Sequence, residues 1–253
     1  MLTKRIDFQG PHGKISAKLD APEGTPRAYG VFAHCFTCSK DVLAATRISQ
    51  GLAALGVAVL RFDFAGLGSS AGDFADTNFS SNVEDLVAAV DFLRANFAAP
   101  KLLIGHSLGG AAVIAAAHRV PEAQAVVTIA APSDPHYVVD KLLAEHLDTI
   151  ATQGEARVNL AGRDFNIRQH FVDDATRHGL HERIANLGRA LLVMHAPQDD
   201  TVSMDNATRI FELARHPKSF ISLDGIDHLV TGREDAAYVA RIIAAWSTRY
   251  LDA

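Results

Sequence analysis

Gly105-His106-Ser107-Leu108-Gly109-Gly110, then Asp199-Asp200, then Asp227-His228 place a serine, an acid and a histidine in that order along the chain. A serine hydroxyl becomes a strong nucleophile when a histidine takes its proton and an acid fixes that histidine's tautomer. The chemistry open to such a trio is attack on a carbonyl through a covalent intermediate. Ser107 is the candidate nucleophile and His228 the candidate general base. Asp199 and Asp200 both qualify as the acid, because adjacent loop residues point apart and sequence order does not choose between them; the other serves a turn or caps the helix after Val202. Of the twelve histidines, His106 should point away from its neighbour Ser107, His195 ends a strand close enough to act as a supporting donor, and His118, His178 and His216 read as surface or helix-end residues.

Each of these residues needs an element to hold it. Lys101 to Ile104 reads as a short buried strand and Ala111 to His118 as a small-residue helix, so the chain must reverse around Ser107. Gly105 and Gly109 relieve the crowding of that reversal, and a helix that starts at the serine turns its unpaired amides toward any oxyanion formed there, Leu108 N–H first. Ala190 to His195 is an apolar strand that delivers the acid loop, and Lys218 to Leu223 is another that delivers His228. The opening reads as an antiparallel hairpin, Thr3 to Phe8 and Ile15 to Leu19 around Gly10-Pro11-His12-Gly13. Further strands are expected at Gly30 to Ala33 within the run from Ala28, and at Val57 to Phe62, Leu102 to Gly105 and Val126 to Ala130. Their alternation with helical runs predicts an α/β fold: a mostly parallel eight-stranded sheet with helices on both faces, in a single domain over residues 1–253. Ser81-Asn82-Val83-Glu84 and Thr231-Gly232-Arg233-Glu234 read as capping boxes for two of those helices.

Between Pro132 and Gly188 the rhythm breaks: His136 to Ile150 looks helical, Ala156 to Phe165 looks like a hairpin turning at Gly162, and Ile167 to Ala185 looks helical again. Leaving the sheet at the carboxyl ends of its strands, the 132–188 segment would lie over the serine as a lid, or else is a packed elaboration with no moving part; Tyr137, Leu142, Phe165 and Phe171 are candidates for an acyl pocket. Cys35 and Cys38 are the only cysteines. Their spacing serves thiol redox chemistry or half a zinc site, but zinc needs four ligands and no second pair exists. Small buried thiols packing the loop are the main expectation, and a redox-sensitive pair is the alternative, with a helix starting near Ser39 to lower the pKa of Cys38. Asp63-Phe64-Ala65-Gly66-Leu67-Gly68-Ser69-Ser70 follows a strand as a phosphate loop would, yet it lacks the third glycine and the Lys-Ser/Thr ending.

Composition narrows the classes. At 253 residues, 48% hydrophobic and with a net charge of −5, the chain can bury one sizeable core and shows no basic patch for nucleic acid. No apolar stretch reaches the roughly 20 residues of a membrane span, Met1 to Phe8 lacks a signal-peptide core, and two cysteines do not make a disulfide framework. A cytoplasmic location is the expectation.

The elbow at Ser107, the Asp63-x-x-Gly66-x-Gly68-x-Ser70 loop, the Asp199-x-x-Val202 loop and the Asp227-His228 loop, in this order, resemble the α/β-hydrolase superfamily over nearly the whole chain. The resemblance favours Asp199 as the acid. It also implies Phe36 as the second oxyanion amide, in the loop where a His-Gly pair usually stands and Cys35 replaces the glycine. A narrower resemblance rests on His34-Cys35-Phe36-Thr37-Cys38-Ser39-Lys40, Arg61-Phe62-Asp63-Phe64, Asn78-Phe79-Ser80-Ser81-Asn82 and His216-Pro217-Lys218-Ser219-Phe220. These are similar to the hydrolase half of bacterial proteins fused to an OsmC-like peroxide-reductase domain. The chain reaches Ala253 just past its last expected helix, which implies a stand-alone relative or the hydrolase part of a longer protein with an OsmC-like partner domain.

The expected activity is hydrolysis of a small carboxylic ester or thioester, with no cofactor or metal. Acyl transfer and amide or peptide hydrolysis are open to the same trio. An aminopeptidase would need an acidic group for the substrate amine, and Asp140, Glu145, Asp173 and Asp174 are the acids available in the 132–188 segment. A redox-regulated, non-catalytic partner module is the reading from another class. Exposed Met, Phe and Leu on a lid would support a homodimer.

Overall fold

The computed structural model describes residues 1–160 and 162–251. Its backbone is an eight-stranded sheet: β1 (Leu2–Gly10), β2 (Gly13–Ala21), β3 (Ala28–Ala33), β4 (Val57–Phe62), β5 (Leu102–His106), β6 (Ala125–Ile129), β9 (Ala190–His195) and β10 (Lys218–Ser222), in the spatial order β1-β2-β4-β3-β5-β6-β9-β10. The strands β7 (Glu155–Leu160) and β8 (Arg163–Arg168) form a separate hairpin. β1 and β2 pair antiparallel, β2 runs antiparallel to β4, and every other neighbour in the large sheet is parallel. The central strands β4, β5, β6 and β9 are buried along their whole length, as a parallel sheet covered on both faces requires.

One apolar core lies between the sheet and α1 (Leu43–Ala54) and α9 (Arg233–Leu251), where Ile48, Leu52, Val239 and Ile243 are sealed against Phe32, Val59 and Ile104. The other face carries α2 (Phe79–Asn96), α3 (Leu108–Ala116) and α8 (Met204–Leu213), together with the elements of the 132–188 segment. The stripe of Leu86, Val87, Val90 and Leu93 holds α2 to the sheet. Its cap differs from the expected one. Asn78 is the N-cap, its side chain accepting from Ser81 N at 2.8 Å while Ser81 Oγ accepts from Asn78 N at 2.9 Å. Starting the helix three residues earlier draws Phe79 fully into the core. Thr231 likewise does not cap α9, since its hydroxyl donates to Asp227 instead.

The 132–188 segment is more broken than its composition suggests. It comprises α4 (His136–Leu142), a 3₁₀ turn at Ala144–His146, α5 (Leu147–Gln153), the β7–β8 hairpin, α6 (Gln169–Arg177) and α7 (His181–Ala185). The stretch from Ile167 begins as strand, not helix, because Ile167 pairs with Ala156 and is buried there. The hairpin turns at Gly162, which has a φ of 79°; Ala161 beside it lies outside the described residues. No helix is long and apolar enough to cross a membrane among the described residues.

Candidate active site

β5 ends at His106, and α3 begins at Leu108, leaving Ser107 alone in the reversal with φ 54° and ψ −126°. Ser107 N–H donates to Ile129 O of the neighbouring strand at 2.8 Å, which pins the turn to the sheet edge. The flanking glycines are steric requirements. A Cβ on Gly105 would stand 2.2 Å from Gly109 O, and one on Gly109 would stand 2.3 Å from Ala33 O. Any side chain there would push the helix off β3. The Leu108 amide is the first of the helix and has no intrahelical partner four residues back.

Three loops meet at this turn. His228 Nε2 lies 3.1 Å from Ser107 Oγ, and its Nδ1 lies 2.8 Å from Asp199 Oδ2. The other oxygen of Asp199 accepts from the amides of Thr201 at 2.9 Å and Val202 at 2.8 Å. The Asp199 carboxylate is wholly buried, whereas Asp200 is exposed and its oxygen takes a hydrogen bond from Thr201 Oγ1. Of the two acids, only Asp199 reaches His228. Burial alone would raise the Asp199 carboxyl, but the hydrogen bond to His228 and the two amides outweigh it and hold the group below its usual range.

His106 and His195 support the relay from outside. His106 turns away from Ser107, as expected, and its Nε2–H donates to the carbonyl of His228 at 2.7 Å, which anchors the His228 backbone. Burial, reinforced by the nearby His228, pushes its pKa down to about 4 and keeps it neutral. His195 Nε2–H donates to Val202 O at 2.7 Å and stands 3.6 Å from Asp199 Oδ2, bracing the acid loop from the end of β9. His118 is hydrogen bonded to Ala115 O, and His178 to Ser80 Oγ, both away from the serine.

The loop after β3 runs beside the elbow and carries Phe36. Cys38 N–H donates to Cys35 O at 3.1 Å, closing a four-residue turn with a Cα–Cα distance of 5.3 Å. At that separation the two sulfurs meet, and they form a disulfide, which corrects the expectation of free buried thiols. The expected helix near Ser39 is also absent; α1 starts at Leu43. Beyond the turn, Lys40 is buried, its amide and its ammonium both donating at 2.6 Å to the sealed carboxylate of Asp63. That carboxylate explains the second glycine of the Asp63-x-x-Gly66-x-Gly68 pattern, because a Cβ on Gly68 would stand 2.2 Å from Asp63 Oδ2; a Cβ on Gly66 would stand 2.3 Å from Phe74 N. The loop is therefore a brace for the Phe36 turn and not a phosphate cradle. Arg61 extends the buried charge network, donating at 2.7 Å to Asp20 and to Lys40 O.

Of the four aromatic and apolar residues expected to line an acyl pocket, two gather near the Phe36 turn. Phe171 lies 5.3 Å, centroid to centroid, from Phe36, and Phe165 lies 4.9 Å from Phe74, which in turn lies 5.7 Å from Phe36. Tyr137 instead bridges the acid loop, its hydroxyl donating to Thr201 O and accepting from Ser203 N, both at 3.2 Å. Leu142 is exposed. Sequence reasoning missed Phe74, Arg163 and the role of His106; the guanidinium of Arg163, the first residue of β8, donates to Thr37 O. Among the described residues no group of three or more His, Cys, Asp or Glu could hold a metal.

The family profile described as "Serine aminopeptidase, S33" matches residues 24–179. The chain belongs to that family of α/β-hydrolases. A structure described as the esterase domain of a Rhodothermus marinus protein is 48% identical to this S33-family chain, superposes with a TM-score of 0.82, and covers 99% of this chain and 100% of that one. Palmitoyl-protein thioesterase ABHD10, mitochondrial, from Mus musculus is 26% identical over 188 residues, 71% of this chain and 61% of that protein. The alignment thus spans less than two thirds of that relative's length. The structure of the mouse α/β-hydrolase domain-containing protein 10 shares the fold at 20% identity and a TM-score of 0.78.

Proposed function

We propose that this S33-family hydrolase cleaves a small carboxylic ester or thioester through an acyl-enzyme on Ser107. The observation that carries the reading is the continuous hydrogen-bonded relay from Ser107 Oγ through His228 to the buried Asp199, built at a strand-to-helix reversal. In the proposed reaction Ser107 Oγ attacks the carbonyl carbon while His228 Nε2 takes its proton. Asp199 holds the Nδ1 proton and stabilises the imidazolium, and the amides of Phe36 and Leu108 receive the oxyanion. His228 then protonates the leaving alkoxide or thiolate. A water deprotonated by His228 attacks the acyl-enzyme, and collapse of that second intermediate returns the proton to Ser107.

Esters and thioesters are favoured over peptides by where the acids sit. Asp174 accepts from Ser80 N and Oγ, Asp140 pairs with His136 at 3.0 Å, Asp173 accepts from Gln169, and Glu145 is exposed on the 3₁₀ turn, so three of the four acids already have other partners. The descriptions of the Rhodothermus esterase domain and the ABHD10 thioesterase agree with that preference. The cleft between the Phe36 turn, α2 and α3 is only about 10 Å³, too small for an acyl chain. In our reading the acyl group lies against Phe165 and Phe171, with the 132–188 segment as the lid that covers it. A cytoplasmic setting, a homodimer and an OsmC-like partner domain in a longer parent remain parts of the proposal.

Hydrolysis of p-nitrophenyl esters and acyl thioesters of rising acyl length, by the wild type and Ser107→Ala, tests the reading. The expected result is a chain-length optimum and a loss of at least about 10³-fold in the variant. Turnover unchanged in Ser107→Ala refutes it, and acyl transfer to added alcohol or amine in preference to water would move the assignment to an acyltransferase.

A further inference from the structure

We propose that the Cys35–Cys38 disulfide positions the oxyanion hole, and that its reduction slows acyl transfer at Ser107 while leaving the fold intact; the inference rests on the hydrolase reading above. Only two residues lie between the sulfurs, Phe36 and Thr37, and Phe36 carries the amide assigned to the oxyanion. Thr37 sits at φ 59°. A β-branched residue in the left-handed region persists only where its surroundings hold it there. Four restraints do so: Thr37 Oγ1–H donates to Phe36 O at 2.7 Å, the Arg163 guanidinium grips Thr37 O, Cys38 N–H donates to Cys35 O at 3.1 Å, and the disulfide closes the turn. Of the four only the disulfide is covalent. Without it, the tip can relax toward ordinary backbone angles and swing the Phe36 amide off the oxyanion position.

The flanks of the tip are fixed independently. On one side Phe32 and Ala33 are paired in the sheet, and His34 Nδ1–H donates to Cys35 O at 2.8 Å. On the other, Lys40 is locked to Asp63 by two hydrogen bonds. Opening the S–S bond therefore frees two residues and not the domain, which confines the effect to the site.

The two sulfurs differ in access. Cys35 is buried at 4% exposure, whereas Cys38 is half-buried. A dithiol reductant attacks Cys38 Sγ through its thiolate, the S–S bond breaks, and Cys35 leaves as a thiolate and takes up a proton. The second reductant thiolate then displaces Cys38 from the mixed disulfide. The products are two protein thiols and one molecule of oxidised reductant.

The test measures kcat and KM for p-nitrophenyl butyrate with the full chain in three forms: oxidised, reduced with dithiothreitol and freed of it, and reoxidised. Thiol titration with DTNB counts zero, two and zero free thiols respectively, and circular dichroism melts follow the fold. Reduction should lower kcat by about tenfold to a hundredfold, short of the 10²–10³-fold of losing one oxyanion donor outright. KM should change less than about threefold, and reoxidation should restore kcat. A Cys35→Ser/Cys38→Ser variant should sit at the reduced value and ignore reductant; if it does not fold, the reduction and recovery of the wild type decide alone. Equal kcat in the oxidised and two-thiol forms overturns the inference while leaving the hydrolase reading standing. Absence of both ester turnover and fluorophosphonate labelling in the oxidised protein overturns both.

Discussion

Replacing Asp199 by Asn separates the tautomer of His228 from everything else the acid loop does. One oxygen of Asp199 accepts two backbone amides, Thr201 N at 2.9 Å and Val202 N at 2.8 Å, and the other meets His228 Nδ1 at 2.8 Å. An asparagine in this place has one acceptor and one donor end. Two fixed N–H groups demand the carbonyl, so the amide nitrogen must face His228. Nδ1 then becomes an acceptor, the ring proton moves to Nε2, and Nε2 can no longer take the Ser107 proton. The loop keeps its backbone bonds, so the variant should stay folded while kcat falls about 10⁴-fold, about 5.4 kcal/mol of barrier. Steady-state hydrolysis of p-nitrophenyl butyrate measures the loss, with Asp200→Asn as the control. The exposed Asp200 should change kcat by less than about threefold. An Asp199→Asn loss of only tenfold, or an equal loss in Asp200→Asn, would refute the tautomer argument.

Three further outcomes follow from the packing and the buried titrating groups. Gly109→Ala forces a Cβ to within 2.3 Å of Ala33 O, so it should destabilise by about 1–3 kcal/mol and lower the melting temperature by several degrees; a melt within a degree of wild type refutes this. Asp85 is buried with Oδ1 unpaired, and burial pushes its pKa up to about 6 from 3.8. The folded state then holds the proton more tightly, so the wild type should lose roughly 2 kcal/mol relative to Asp85→Asn as pH rises from 4 to 7.5, read from urea melts at both values; a pH-independent difference contradicts it. His34 and His106 are buried and pushed down to about 4. Each contributes stability that is present above about pH 6.5 and lost as pH falls toward 4, and the loss should be smaller in His106→Gln, which keeps a donor for His228 O.

Much of the site was legible because its chemistry follows chain order. Ser107, His228 and the strand that delivers each were readable from the glycine spacing and the apolar runs, and the sheet from the alternation of strands with helices. The residues alone left Asp199 and Asp200 open and the resemblance favoured Asp199; the turn at Thr201-Val202 is what buries it. The disulfide was hidden for a related reason, since two cysteines three apart meet only if the intervening residues make a tight turn, and that turn depends on Thr37 at a positive φ. The broken 132–188 segment defeated periodicity, because Ile167 suits a strand or a helix and its partner Ala156 in the hairpin settled it. Arg61 and Lys40 gave a faint signal: a charge inside an apolar strand, and another beside the Phe36 turn, answered by Asp20 and Asp63.

The central claim is that Ser107 becomes covalently acylated by way of His228. Treating the folded chain with a fluorophosphonate and mapping the adduct by peptide mass spectrometry tests it most directly. A single adduct on Ser107, absent in Ser107→Ala and slowed by orders of magnitude in Asp199→Asn, is the expected result. Ester turnover in a protein that carries no adduct on Ser107, or carries it on another residue, would contradict the account.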